Sequence, residues 1–189
     1  MASNVGEVYL KGVRLSFGDG LFAASAFEEG GEKKYSASFL IDMTTSEGKK
    51  LKAACEAAAN AMLKEKFGAK AKTWDGMAKN DCFFDGNDKE YDGYADTWVV
   101  AAKNPKRVAV YSKSKEVLTE DDMGDEIYSG CLVDAIVAFY VPKDPKYHNR
   151  LCCALRGVKV RSIDQEKYPS FGAGRVSADR FEDDEEDDL

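Results

Sequence analysis

Only one histidine, His148, occurs in the 189 residues. Ser-His-Asp or Cys-His catalysis would have to run through it, and its surroundings, PKDPKYHNR, read as a solvated loop. The five cysteines are an odd number with no CxxC spacing, so neither a disulfide framework nor a structural zinc site is expected. Cys152 and Cys153 are adjacent, and in a strand they point to opposite faces. No GxxxxGK[ST] or GxGxxG phosphate cradle is present. No apolar run reaches the ~18 residues of a membrane-spanning helix. The opening MASNVGEVYLKG lacks a basic patch followed by an apolar stretch, which predicts a cytoplasmic chain without a secretory signal. No cofactor is implied.

Apolar residues, at 44% with 11% aromatic, are enough to bury a core. The length suits one domain with appendages, divided as a globule over 1–161, a linker over 162–178 and an acidic tail over 179–189. The formal charge of −7 sits in that tail, DRFEDDEEDDL, and the rest of the chain is neutral. Residues 140–161 instead carry six bases (Lys143, Lys146, Arg150, Arg156, Lys159, Arg161) against one acid, Asp144. Two blocks of opposite sign therefore lie near each other in sequence.

Alternation predicts the strands. In 5–17, Val8 and Leu10 share a face, and Val13, Leu15 and Phe17 continue it one residue out of step. Gly12 stands at the slip, the mark of a bulge that bends a strand. YSASFLI (35–41), YADTWVVAA (94–102), CLVDAIVAFYV (131–141) and LCCALRGVKV (151–160) are further strands, with a short segment over 107–112. A helix is predicted from a capping box at Thr44 and Glu47, through the stripe Leu51, Cys55, Ala58 and Met62, to a C-cap at Gly68. TEDDMGDEIY (119–128) reads as a capped helical turn, and the tail is expected to be disordered. The whole is mainly β with one or two helices, compatible with a five-stranded Greek-key barrel of the OB type.

Sequence-independent binding of single strands needs rings for bases and cations for phosphates. This chain interleaves them: Arg14 with Phe17, Lys33 and Lys34 with Tyr35, Lys103 and Arg107 with Tyr111, and Tyr140, Lys143, Lys146, Tyr147 and Arg150 together. Phe17 and Trp98 fit a core role as well. Each stack contributes about 1–3 kcal/mol, so a few suffice. The tail polyanion (Glu182, Asp183, Asp184, Glu185, Glu186, Asp187 and Asp188, after Phe181) would compete with phosphate for such a groove. Two other readings stay open: a metal-dependent nuclease using Asp96 or Asp134, and an adaptor acting through its tail.

Taken in order, GVRLSFGDGLF (12–22), KKYSASFLI (33–41), YADTWVVAAKNPKRV (94–108), YSGCLVDAIVAFYVPKD (128–144) and NRLCCALRGVKV (149–160) resemble the OB-fold single-stranded DNA-binding proteins of tailed bacteriophages. The resemblance implies a non-enzymatic protein of the host cytoplasm. Such a protein coats exposed single strands without sequence preference in phage replication, recombination or repair. It also implies an acidic tail that recruits replication proteins such as a polymerase or helicase. Family tails typically finish in an aromatic residue, whereas here Phe181 precedes the acids and Leu189 follows them. Self-association is compatible with this reading.

Overall fold

The computed structural model describes residues 5–26 and 29–171. Five long strands make the barrel: β1 (Glu7–Ser16), β2 (Tyr35–Asp42), β5 (Thr97–Asn104), β7 (Leu132–Tyr140) and β8 (Arg150–Ser162). Short strands β3 (Lys79–Asn80), β4 (Phe83–Asp85) and β6 (Val110–Tyr111) flank β8 and β5. Helix α1 (Ser46–Phe67) joins β2 to the β3–β5 region. The ring runs β1–β2–β5–β8–β7 and back to β1. All its neighbours are antiparallel except β5 and β8, which lie parallel. This order is that of an OB barrel, the architecture with which the alternation was compatible.

The parallel joint is the thinnest part of the ring. One register pair, Lys103 with Ala154, links β5 to β8, and the Asn104 side chain adds a bond of 2.8 Å from Nδ2 to the Leu155 carbonyl. By contrast β2 and β5 pair along their whole length, from Tyr35 with Asn104 to Asp42 with Thr97.

The strongest predicted strand behaves as its pattern requires. Cys131, Val133, Ala135, Val137, Phe139 and Val141 are all buried. The predicted slip in β1 is a bulge: the register against β7 jumps from Leu10 with Ala135 to Val13 with Val133. Gly12 adopts a φ of 68°, which a side chain would resist, and its amide donates to Asp134 Oδ1 at 2.8 Å. Leu10 and Val13 can thus both face the core on either side of the bend.

The helix begins one residue later than its spacing predicted. Thr45, not Thr44, is the N-cap, its hydroxyl accepting the Gly48 amide at 3.0 Å. Asp42, at the end of β2, takes both the amide and the hydroxyl of Thr44 on one carboxylate oxygen, which removes Thr44 as a cap. The buried stripe shifts accordingly to Gly48, Cys55, Ala59 and Leu63, with Leu51, Ala58 and Met62 at its margin. Gly68 does end the helix. Among the described residues no helix is long and apolar enough to cross a membrane.

Two further differences have local causes. The strand expected at 94–102 starts at Thr97, because Tyr94 is drawn inward and donates to Ser16 Oγ at 2.8 Å. Trp98 packs edge-on against Trp74 and Phe83 beneath α1, with the Lys52 ammonium 4.0 Å from its ring centre. The segment expected to be linker from residue 162 is held against the barrel as far as Phe171. There the Phe171 amide donates to Ser129, Tyr128 donates to the Tyr168 carbonyl, and the Arg14 guanidinium lies 4.2 Å from the Phe171 ring centre. The tail residues Phe181, Glu182, Asp183, Asp184, Glu185, Glu186, Asp187 and Asp188 lie outside the described residues.

A candidate nucleic-acid interface

Two loops border one face of the barrel: 17–34 between β1 and β2, and 141–149 between β7 and β8. They leave opposite ends of the antiparallel β1–β7 pair, and the stagger of β2, β5 and β8 brings the end of the first, at Lys34, toward the start of β8. Between them the outward phase of four strands makes a floor. Tyr140 lies opposite Cys152, Ala138 opposite Ala154, and Ala154 opposite Lys103, which in turn pairs with Ser36 of β2. The small side chains Ala138, Cys152, Ala154 and Ser36 are half-buried, so the floor is low between Tyr140 at one margin and Lys103 at the other. A groove of about 460 Å³, lined by Ser25, Ala26, Glu32, Lys34, Ser36 and Lys103, opens beside it. The first loop is pinched at its base by paired backbone bonds between Ser25 and Lys34, which hold Lys34 over this face.

The electrostatics converge on Cys152. Burial raises its thiol pKa, while Arg150, Lys34 and Lys103 act in the opposite sense, as does a hydrogen bond with Tyr140. Three cations from three separate chain segments therefore act on one half-buried thiol, Lys103 through its place opposite Ala154 and Lys34 through the groove it lines with Lys103. The Tyr140 hydroxyl is pushed up to about 12, chiefly by burial and then by Cys152. It stays protonated at neutral pH and keeps an exposed ring edge. At the rim, the Tyr147 ring has the Lys146 ammonium 4.9 Å and the Arg150 guanidinium 5.3 Å from its centre. Asp144 caps this turn by accepting the Lys146 amide.

The residues singled out in the sequence divide into groups. Lys34, Lys103, Tyr140 and Arg150 meet on this face, and Lys146 and Tyr147 stand at its rim. Lys33 and Lys143 are exposed on the two flanking loops. Tyr35 shares the phase of Ala37 and Phe39, which point into the barrel, and is half-buried. Arg107 lies 5.5 Å from the centre of the Phe22 ring. Arg14 donates to the carbonyls of Gly130 and Pro169, which engages its guanidinium in holding the 162–171 segment. Tyr111 lines a different cavity, with Tyr9 and Ile136. Phe17 is exposed and meets Tyr91 edge-on.

Cys152 and the two alanines of the floor escaped the sequence reading. Their signal was present as small residues alternating with the core residues Phe139, Cys153 and Leu155.

The two acids weighed for metal chemistry lie in separate cavities. Asp134 is buried, and its oxygens accept from Arg161 at 2.8 and 2.9 Å, from the Gly12 amide and from the Tyr9 hydroxyl. Burial alone would raise its pKa, but the bonds from Arg161, Gly12 and Tyr9 outweigh that and hold it below the usual carboxylate range. Asp96 sits in a left-handed turn with φ of 57°. Among the described residues no three His, Cys, Asp or Glu side chains cluster as metal ligands.

Protein p50 of Acyrthosiphon pisum secondary endosymbiont phage 1 is 32% identical over 185 residues, covering 94% of this chain and 93% of p50. The single-stranded DNA-binding protein from bacteriophage Enc34, solved in complex with ssDNA, superposes with a TM-score of 0.70 at 26% identity, covering 84% of this chain and 88% of that one. A second structure of the Enc34 protein gives the same TM-score at 24% identity over 93% of this chain and 89% of that one. The family described as Enterobacter phage Enc34, ssDNA-binding protein, matches residues 6–189, and the chain belongs to that family.

Proposed function

We propose that this chain binds single-stranded DNA without sequence preference, on the face between loops 17–34 and 141–149. The observation that carries the reading is the convergence of Lys34, Lys103 and Arg150 beside Tyr140 over a floor of small side chains. Cations spaced along a trough track phosphates, and rings at its margins accept bases of any identity. Unlike a base-edge reader, the floor offers apolar area and few donors or acceptors, so it has little with which to tell one base from another. The complex of the related Enc34 protein with ssDNA supports the same class of ligand.

The acids of 179–189 present the groove with an intramolecular polyanion. It competes with phosphate when the groove is empty and is freed to recruit replication proteins, a polymerase or helicase among them, when DNA takes its place. This role belongs to phage DNA replication, recombination or repair.

The test is a gel shift with oligo-dT and with duplex of equal length, using the full chain and a form ending at residue 178, with magnesium added in parallel. Retarded single strands that remain intact support the reading. Absence of any shift for both forms in dilute buffer overturns it, and strand cleavage would return the nuclease alternative.

A further inference from the structure

A second concavity, of about 260 Å³, lies on the outer side of β1, β7, β8 and β6, where Tyr9, Tyr111 and Ile136 form its walls and Lys115 and Lys159 its rim. It is unusually apolar for an exposed site. Tyr9 is 54% exposed, Tyr111 and Ile136 37% each, and Val117, which bridges to Tyr111, 67%. Such a patch marks a contact surface. Its geometry is also fixed in advance, because the Tyr9 hydroxyl donates to Asp134 and Asp134 is clamped by Arg161.

An apolar cup with ammonium groups at its edge suits an aromatic side chain followed by carboxylates. The chain carries that combination in Phe181 and the acids Glu182 to Asp188. Competition for a cationic groove explains the acids but gives Phe181 no role. We propose that Phe181 seats, in the same molecule, in the pocket formed by Tyr9, Tyr111 and Ile136, and that this seat aims the acids after it along β8 toward the groove.

Lengths permit it. Phe171 is fixed against Arg14, five residues from Tyr9 on β1, or about 17 Å away. The ten residues from Phe171 to Phe181 span up to about 33 Å. From the pocket at Lys159 to Cys152 is about 23 Å along β8, with exposed Arg156 between them. The eight residues after Phe181 reach about 26 Å. Anchored this way, the acids meet the groove at an effective concentration set by a short tether. The seat itself stands on the pocket; its effect on DNA rests on the function proposed above.

The experiment records methyl resonances of Ile136 in the full chain, in Phe181→Ala, in Tyr111→Ala and in the form ending at 178, with oligo-dT affinity measured on the same samples at low salt. Seating predicts a ring-current shift of Ile136 in the full chain that disappears in Phe181→Ala and in the shortened form. It also predicts affinity about tenfold higher in Phe181→Ala, approaching that of the shortened form. An Ile136 signal identical in the full chain, Phe181→Ala and the shortened form overturns the proposal. So does a shift that fades on dilution, which assigns the pocket to the tail of a second copy. Failure of every form to bind oligo-dT removes the groove reading, while the methyl signal still decides the seat.

Discussion

Removing one groove cation changes how binding depends on salt, and the change can be calculated. Lys34 is held over the face by the Ser25 bridge and stands with Lys103 and Arg150 around Cys152. If each of the three neutralises one phosphate of a single strand, the logarithm of affinity falls with the logarithm of salt with a slope of about −2.1. Raising salt from about 50 to 200 mM then weakens binding ~18-fold. Lys34→Ala leaves two contacts and a slope of about −1.4, so the same change in salt costs only ~7-fold. Fluorescence anisotropy of labelled oligo-dT across a salt series measures both numbers. Tryptophan emission is the wrong readout, because Trp74 and Trp98 pack together beneath α1, away from the groove. A Lys34→Ala protein that binds more weakly with an unaltered slope would show that the ammonium does not touch phosphate, and the assignment of the face would fail with it.

Three other outcomes check different parts of the structure. Tyr140→Ala and Tyr147→Ala should each weaken oligo-dT binding by about 1–3 kcal/mol while leaving the salt slope in place, since they remove stacking rather than charge; unchanged affinity in both excludes these rings from the site. Asp134→Asn should cost about 1–3 kcal/mol of stability at neutral pH, because it removes the charge that Arg161 pairs with. The folded carboxyl is held below its unfolded value, so its contribution is complete above about pH 4 and is lost as pH falls through the folded pKa. Urea midpoints of the two proteins should therefore converge in acid, and a gap that persists there refutes the linkage. Finally, Cys152 is the half-buried thiol of five, the other four being buried. Maleimide should label it first, and bound oligo-dT should slow that labelling; equal rates with and without DNA place the strand elsewhere.

Local features were legible wherever one segment decided the outcome. The alternation of 131–141 fixed which side chains of β7 face inward, and the phase slip with Gly12 marked the bulge, because both depend on period alone. The helix start was displaced by one residue because two adjacent threonines compete, and a carboxylate from the preceding strand chooses between them. The proposed binding face was legible only in part. Lys34, Tyr140 and Arg150 lie at strand ends beside loops, where sequence neighbours are spatial neighbours. Arg14 and Tyr111 share their composition but sit at other points around the ring. Which outward residues end up side by side depends on how β5 meets β8, a contact between residues about fifty apart that no periodicity encodes.

That meeting of β5 and β8 has a mechanical consequence. Every other joint of the ring has three or more register pairs, yet here one register pair and an asparagine side chain do the work. A DNA strand bound as proposed, with Lys103 on one bank and Arg150 and Tyr140 on the other, would straddle this weakest stave. Ligand would then act as a hoop, favouring the closed ring in proportion to its occupancy. When it leaves, the amides around Ala154 and Leu155 become the first of the barrel to exchange with solvent.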